Sequence, residues 1–353
     1  MHNLKICNKL ILVAFGLIFL MSPICNADDL SSNSKNLPAT NNKKAKTPLV
    51  KIANNQQAKT NSKDQISKIS NNQSVVLGVI EGLTEYLPVS STGHLIIASH
   101  AMGLSKNTGK SGLLGPEITK NPAIDSFEII IQIGAILAVI GLYRKDVGNM
   151  LLGLAGKSAE GFKLFKLLLL AFMPAVFAGL LLHKTISEYL FSPYTVAGGL
   201  IAGGVAMILI ERKFWTKRVN KTTDCTIYNI QYWQALVIGL AQCLAMWPGM
   251  SRSMVTILAG IILGLNFVTS ARFSFLLALP TLSAATVYSL YKDWSHLVES
   301  AGIDTMIIGV LVSMVAAAFA VKAFATWLTK HGMIPFGFYR IALGIAVFII
   351  FWS

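Results

Sequence analysis

Glu81-Gly82-Leu83-Thr84-Glu85-Tyr86-Leu87-Pro88-Val89-Ser90-Ser91-Thr92-Gly93-His94 places two carboxylates, a hydroxyl cluster and a histidine within an otherwise apolar run over 74–103. Hydrocarbon penalises such groups, by about 2.5–3.5 kcal/mol for a charged side chain at mid-bilayer even on lenient insertion scales. Their clustering therefore marks a site. Pro88 and Gly93 break the run near its middle. A broken membrane helix survives only where protein or a water-filled cavity satisfies the freed backbone groups, so the run predicts a re-entrant helical hairpin.

Composition agrees with a membrane setting. Of 353 residues, 54% are hydrophobic and 13% charged, with mean hydropathy +0.59; soluble domains carry roughly 25% charged residues. The formal charge of +14 suggests a nucleic-acid partner until it is located: residues 1–72 hold ten lysines and three aspartates, half of the total. Most of the remainder lies in loops between apolar runs, where it reports topology and not nucleic acid. Lys5 and Lys9 precede the apolar run Leu10 to Met21, and Cys25-Asn26-Ala27 offers a small-residue cleavage site. Residues 1–27 thus read as a signal peptide cut after Ala27, or as an uncleaved anchor, and either carries the next segment outside. Residues 28–72, rich in Asn, Ser, Lys and Gln, read as a disordered polar tail. Cys7, Cys25, Cys225 and Cys243 show no CxxC spacing and read as structural thiols.

Six further runs, near 125–143, 164–182, 194–210, 270–291, 303–321 and 336–352, are long enough to cross about 30 Å of hydrocarbon. A second broken run, 231–265, interrupts at Pro248-Gly249. Shifting by 160 positions sets Pro88 on Pro248 and Ser91 on Ser251. At that shift Glu81 and Glu85 face Ala241 and Ala245, while Arg252 faces Thr92. The expected fold is an all-α polytopic membrane protein of two inverted repeats, 73–213 and 231–353, each one re-entrant helical hairpin plus three transmembrane helices. Charge bias supports it: inside loops carry Arg144, Lys145, Lys157, Lys163, Lys166, Arg212, Lys213, Lys217, Arg218, Lys221, Lys322 and Lys330, against Lys106, Lys110, Lys120, Lys184 and Lys292 outside.

Glu81 and Glu85, four apart, share one face of a helix ending near Pro88. Such a pair suits a divalent cation, Mg²⁺ or Ca²⁺; a general base or proton relay is the alternative. Ser90, Ser91 and Thr92 can cap a following helix or contact phosphate at its N-terminus. His94, about one turn further, is either structural or a proton carrier. Arg252, in Pro248-Gly249-Met250-Ser251-Arg252-Ser253, suits bidentate phosphate binding or an ion pair with Glu81 or Glu85. No G-x-x-x-x-G-K-[ST] occurs, which argues against nucleotide hydrolysis.

The Glu81–His94 run and Pro248-Gly249-x-Ser251-Arg252-Ser253 resemble the signature motifs of the undecaprenyl-diphosphatase family, also called bacitracin-resistance proteins. Phe127 to Tyr143, with its Gln132-Ile133-Gly134 core, and Ser192-Pro193 through Gly203-Gly204 to Glu211 extend the likeness over about 74–353. The resemblance implies hydrolysis of a long-chain prenyl diphosphate lipid at a site opening to the periplasm of a bacterial inner membrane. It implies Glu81 and Glu85 as metal-associated acids, Glu85 also catalytic, Ser91 as nucleophile and His94 as acid/base partner. Arg252 becomes the phosphate clamp, with Ser90, Thr92 and Ser251 as further phosphate contacts. Met254 departs from the family's usual glycine, and the N-terminal extension is unusual. A homodimer is compatible with this reading. The main rival is a lipid-phosphate flippase or secondary transporter using the same midplane site.

Overall fold

A computed structural model describes residues 69–112, 115–120, 122–189, 192–214 and 226–352. The signal peptide, most of the tail, Cys7, Cys25 and Cys225, and the basic residues Lys217, Arg218 and Lys221 lie outside the described residues.

Six helices are long and apolar enough to span a bilayer: α3 (Pro122–Leu142), α5 (Ala159–Tyr189), α6 (Pro193–Phe214), α9 (Phe267–Ala301), α10 (Ile303–Leu328) and α11 (Ile334–Trp352). These are the six expected runs. The two broken runs fold as hairpins of shorter helices, α1 (Asn71–Thr84) with α2 (Ser91–Ala101), and α7 (Tyr232–Gln242) with α8 (Arg252–Ile262). At 1.5 Å per residue the longest arm, 14 residues in α1, reaches about 21 Å, short of the hydrocarbon thickness. The short helix α4 (Arg144–Leu154) packs on α5. The membrane fold is all-α, as expected, and one loop adds an antiparallel pair, β1 (Ser105–Gly112) and β2 (Gly115–Lys120). Helix α1 also starts earlier than expected: Ser70 caps it in a capping box with Gln73, inside the stretch assigned to the tail.

The hairpins correspond to one another at 161 positions, not 160. Capping boxes fall at Ser70/Gln73 and Gln231/Gln234, and positive-φ residues at Ser90 and Ser251, then at Gly103 and Gly264. Glu81 therefore matches Gln242, Glu85 matches Met246, and Arg252 matches Ser91. The prolines misled the alignment because they sit in the irregular tips, where a 3-10 turn over Cys243–Met246 replaces the α-helical turn at Glu85. Packing repeats in the same frame: α1 lies on α10 and α7 on α5, while α3 meets α9 and α6 meets α11.

Glycines set the closest approaches. A Cβ at Gly82 would stand 2.7 Å from Ala316 Cβ and 2.8 Å from Ala317 N on α10. Lipid supplies no hydrophobic drive between helices, so such close packing is what binds them. Gly82→Val is expected to destabilise the protein by about 1–3 kcal/mol through overpacking, read as a lower unfolding midpoint in detergent. Gly148→Ala, at a position open for at least 4 Å, is expected to leave the midpoint unchanged apart from helix propensity.

Polar contacts join helix ends that the charge bias assigns to the same face. At one end Arg272 Nη2 and Nε bond Asp146 Oδ1 and Oδ2 at 2.6 and 2.9 Å. Tyr228 donates to Asp146 at 3.0 Å and accepts from Asn149 at 3.1 Å. Burial raises the ionisation point of the Tyr228 phenol, which keeps it a donor. At the other end Ser74 donates to Thr305 O at 2.7 Å, and Tyr194 to Phe351 O at 3.0 Å.

Candidate active site

The two hairpin tips meet in the protein interior. Helix α1 closes its last turn with the Glu85 N–H on Glu81 O at 2.9 Å, which leaves both carboxylates beside the tip. Ser90 then adopts φ 72°, ψ 100°, and its hydroxyl caps α2 at Gly93 N. Ser251, at φ 66°, ψ 115°, caps α8 in the same way at Met254 N. Met254 serves the cap through its backbone, and its side chain is buried. Ser90 and Ser251 are thus engaged as helix caps, whereas Ser91 and Thr92 stand half-buried on the first turn of α2.

Three of the expected residues form one connected unit. Ser91 donates its hydroxyl to Glu85 Oε2 at 2.7 Å. Arg252 Nη2 donates to Glu85 Oε1 at 3.0 Å, so the ion pair weighed from sequence exists and its partner is Glu85. The guanidinium also donates to Ser274 O at 2.8 Å and lies over the Tyr86 ring, 5.6 Å from its centroid. Tyr86 is anchored to Ala135 O at 3.1 Å. Ser253 donates to Leu87 O at 2.9 Å, and its oxygen faces that of Ser251 at 3.0 Å, which ties the second tip to the first. A hydroxyl hydrogen-bonded to a carboxylate that a third group orients is the arrangement of an activated nucleophile. An arginine held beside it is a ready anion clamp.

Glu81 is fully buried, and neither carboxylate oxygen has a hydrogen-bond partner. An orphaned buried acid fits a bound cation, because a charge out of water needs compensation. No group of three or more His, Cys, Asp or Glu able to hold a metal occurs among the described residues. Glu81, with both oxygens unpartnered, is the residue whose chemistry would suit such a cation, and Glu85, one turn on, already bonds Ser91 and Arg252.

His94 is buried in α2 but joined to neither Ser91 nor Glu85 by the hydrogen bonds found at this site. Its Nδ1 lies 2.7 Å from Ser90 O and its Nε2 2.6 Å from the Tyr339 hydroxyl.

Sequence reasoning missed Arg340, Tyr339 and Glu128. Arg340, 0% exposed, donates to Pro88 O, Gly199 O, Gly249 O and Met250 O at 2.8–3.2 Å, contacting both tips. Gly203 makes room for it, since a Cβ there would meet Arg340 Cζ at 3.0 Å. The signal was present, because Arg340 is a lone cation in an apolar run, as costly as Arg252. Glu128, buried on α3, accepts from Ser99 at 3.1 Å.

The family model described as bacitracin resistance protein BacA matches residues 74–346. An undecaprenyl-diphosphatase of Sorangium cellulosum is 40% identical over 274 residues, covering 77% of this chain and 84% of the relative. One from Thermoanaerobacter sp. is 41% identical over 277 residues, covering 78% and 94%. Undecaprenyl-diphosphatase 1 of Bacillus cereus is 42% identical over 274 residues, covering 76% and 94%.

Proposed function

This chain belongs to the bacitracin resistance protein BacA family, and we propose that it hydrolyses undecaprenyl diphosphate to undecaprenyl phosphate and inorganic phosphate. That reaction recycles the lipid carrier of cell-wall precursors and confers resistance to bacitracin. The observation that carries the reading is the chain of contacts from Ser91 to Glu85 to Arg252, built from both hairpins.

Arg252 exchanges part of its pairing with Glu85 for the diphosphate oxygens and gathers their charge as the terminal phosphorus is attacked. Ser91 Oγ forms the new bond to phosphorus while its proton passes to Glu85. The bond to the bridging oxygen breaks, and undecaprenyl phosphate departs with the proton that Glu85 took from Ser91. Glu85, ionised again, takes a proton from a water whose oxygen bonds to the phosphorus; the Ser91 Oγ–phosphorus bond breaks, Glu85 returns the proton to Ser91 Oγ, and inorganic phosphate leaves. Thr92, Ser90 and Ser251 border the path of the phosphates, the last two through the helix starts they cap. Glu81 and Glu85 would hold Mg²⁺ or Ca²⁺, which when bound neutralises phosphate charge.

The protein is a multi-pass membrane protein of the bacterial inner membrane. We place the site on the periplasmic side, supported by the inside bias of basic loops. A homodimer is compatible with this site, and no nucleic-acid partner is expected, because half of the net positive charge lies in residues 1–72 and most of the rest in loops between spans.

A carrier has no use for a serine poised on a carboxylate, and the flippase reading is not favoured. Purified protein is expected to release phosphate from undecaprenyl diphosphate, to lose that activity with chelator, and to fall by about 10²–10⁴-fold in Ser91→Ala. Lipid movement in liposomes without phosphate release would overturn the assignment.

A further inference from the structure

We propose that Tyr339 is a positioning residue of this site, and that His94, which it holds, fixes the Ser90–Ser91 peptide instead of carrying a proton to the reacting atoms. The inference rests on the diphosphatase reading above.

The two ring nitrogens of His94 have different partners. Nδ1 lies 2.7 Å from the Ser90 carbonyl, which only accepts, so Nδ1 carries the hydrogen and donates. Nε2 lies 2.6 Å from the Tyr339 hydroxyl, which closes the other side of the ring. The two rings are also nearly parallel, 14° apart with centroids at 5.7 Å. Both nitrogens are therefore committed inside the protein, while the Ser91 hydroxyl already has Glu85 as its acceptor.

What His94 grips is the strained residue of the hairpin. Ser90, at φ 72° and ψ 100°, occupies backbone space that costs a non-glycine residue about 1–3 kcal/mol and persists only when its surroundings over-determine it. Its carbonyl belongs to the peptide that leads into Ser91. Rotation of that peptide would carry Ser91 Oγ away from Glu85. One residue further along α11, Arg340 bonds Pro88 O in the first tip and Gly249 O and Met250 O just before Ser251, the other positive-φ serine. Adjacent residues of the last helix thus hold the approach to both strained serines.

Asparagine and glutamine separate a positioning histidine from a proton carrier. The asparagine amide nitrogen falls near the place of Nδ1 and can still donate to Ser90 O; that of glutamine falls near Nε2. In the full-length protein in detergent, with undecaprenyl diphosphate as substrate, His94→Asn is expected to keep kcat within about tenfold of wild type. His94→Gln is expected to lose about 10²-fold, the scale of a misplaced reacting group. Tyr339→Phe is expected to lower kcat about tenfold with KM unchanged, and to add nothing in the His94→Asn background. Equal losses in His94→Asn and His94→Gln would overturn the proposal, as would a full Tyr339→Phe effect in the His94→Asn background. A silent wild type would instead defeat the diphosphatase reading. Nitrogen-15 spectra of the His94 ring then decide the inference: a neutral ring protonated at Nδ1 and perturbed by Tyr339→Phe supports it, and any other state or an unmoved signal overturns it.

Discussion

Arg340→Met is expected to separate the two hairpin tips, lowering the unfolding midpoint in detergent and abolishing phosphate release. The guanidinium is 0% exposed and its bonds run to four backbone carbonyls, from Pro88, Gly199, Gly249 and Met250. A carbonyl stranded in the interior costs about 1–3 kcal/mol. Less the relief of no longer burying a charge, the loss comes to about 3–5 kcal/mol. Arg340→Lys is expected to fall between, because a single ammonium cannot span carbonyls from α6 and both tips. A methionine variant with wild-type midpoint and activity would show that the tips hold together without it.

Arg252→Lys is expected to lower kcat/KM by about 10²–10³, the cost of removing one preorganised donor from a charge-developing site. The planar fork now reaches Glu85 and Ser274 O at once and stacks on Tyr86. Lysine keeps the charge but neither the fork nor the stack. Steady-state kinetics on the purified variant, with its unfolding midpoint as a control for folding, check this. Wild-type kinetics in Arg252→Lys would mean that charge alone suffices at this position.

The spans were legible in the sequence because length and apolarity are sufficient signals, and all six runs are helices. The hairpins were legible through Pro88, Gly93 and Pro248-Gly249, which no spanning helix explains. Their register was not. Similar prolines in irregular tips pulled the match to 160, whereas caps and positive-φ positions set it at 161. That correction turns Glu81 and Gln242 into counterparts, both buried and both without side-chain partners. Ser91, Glu85 and Arg252 were found as residues, but their contacts depend on a turn between Glu85 and Ser91 and on the meeting of two distant hairpins. Spacing could place His94 one turn into α2, yet only the folded backbone shows its Nδ1 facing the Ser90 carbonyl. Arg340 and Tyr339 stand in a run whose length and apolarity already account for it as a span, and only the fold shows that their side chains reach His94 and the two tips.

Both hairpins contribute to one site, and a double-mutant cycle on kcat/KM between Glu85→Gln and Arg252→Met measures whether its two halves work together. If Glu85 and Arg252 act as a unit, the double variant is no slower than the slower single variant, as for catalytic groups that fail together. Losses that multiply would mean that the two residues work independently and that the hairpins do not share one catalytic unit.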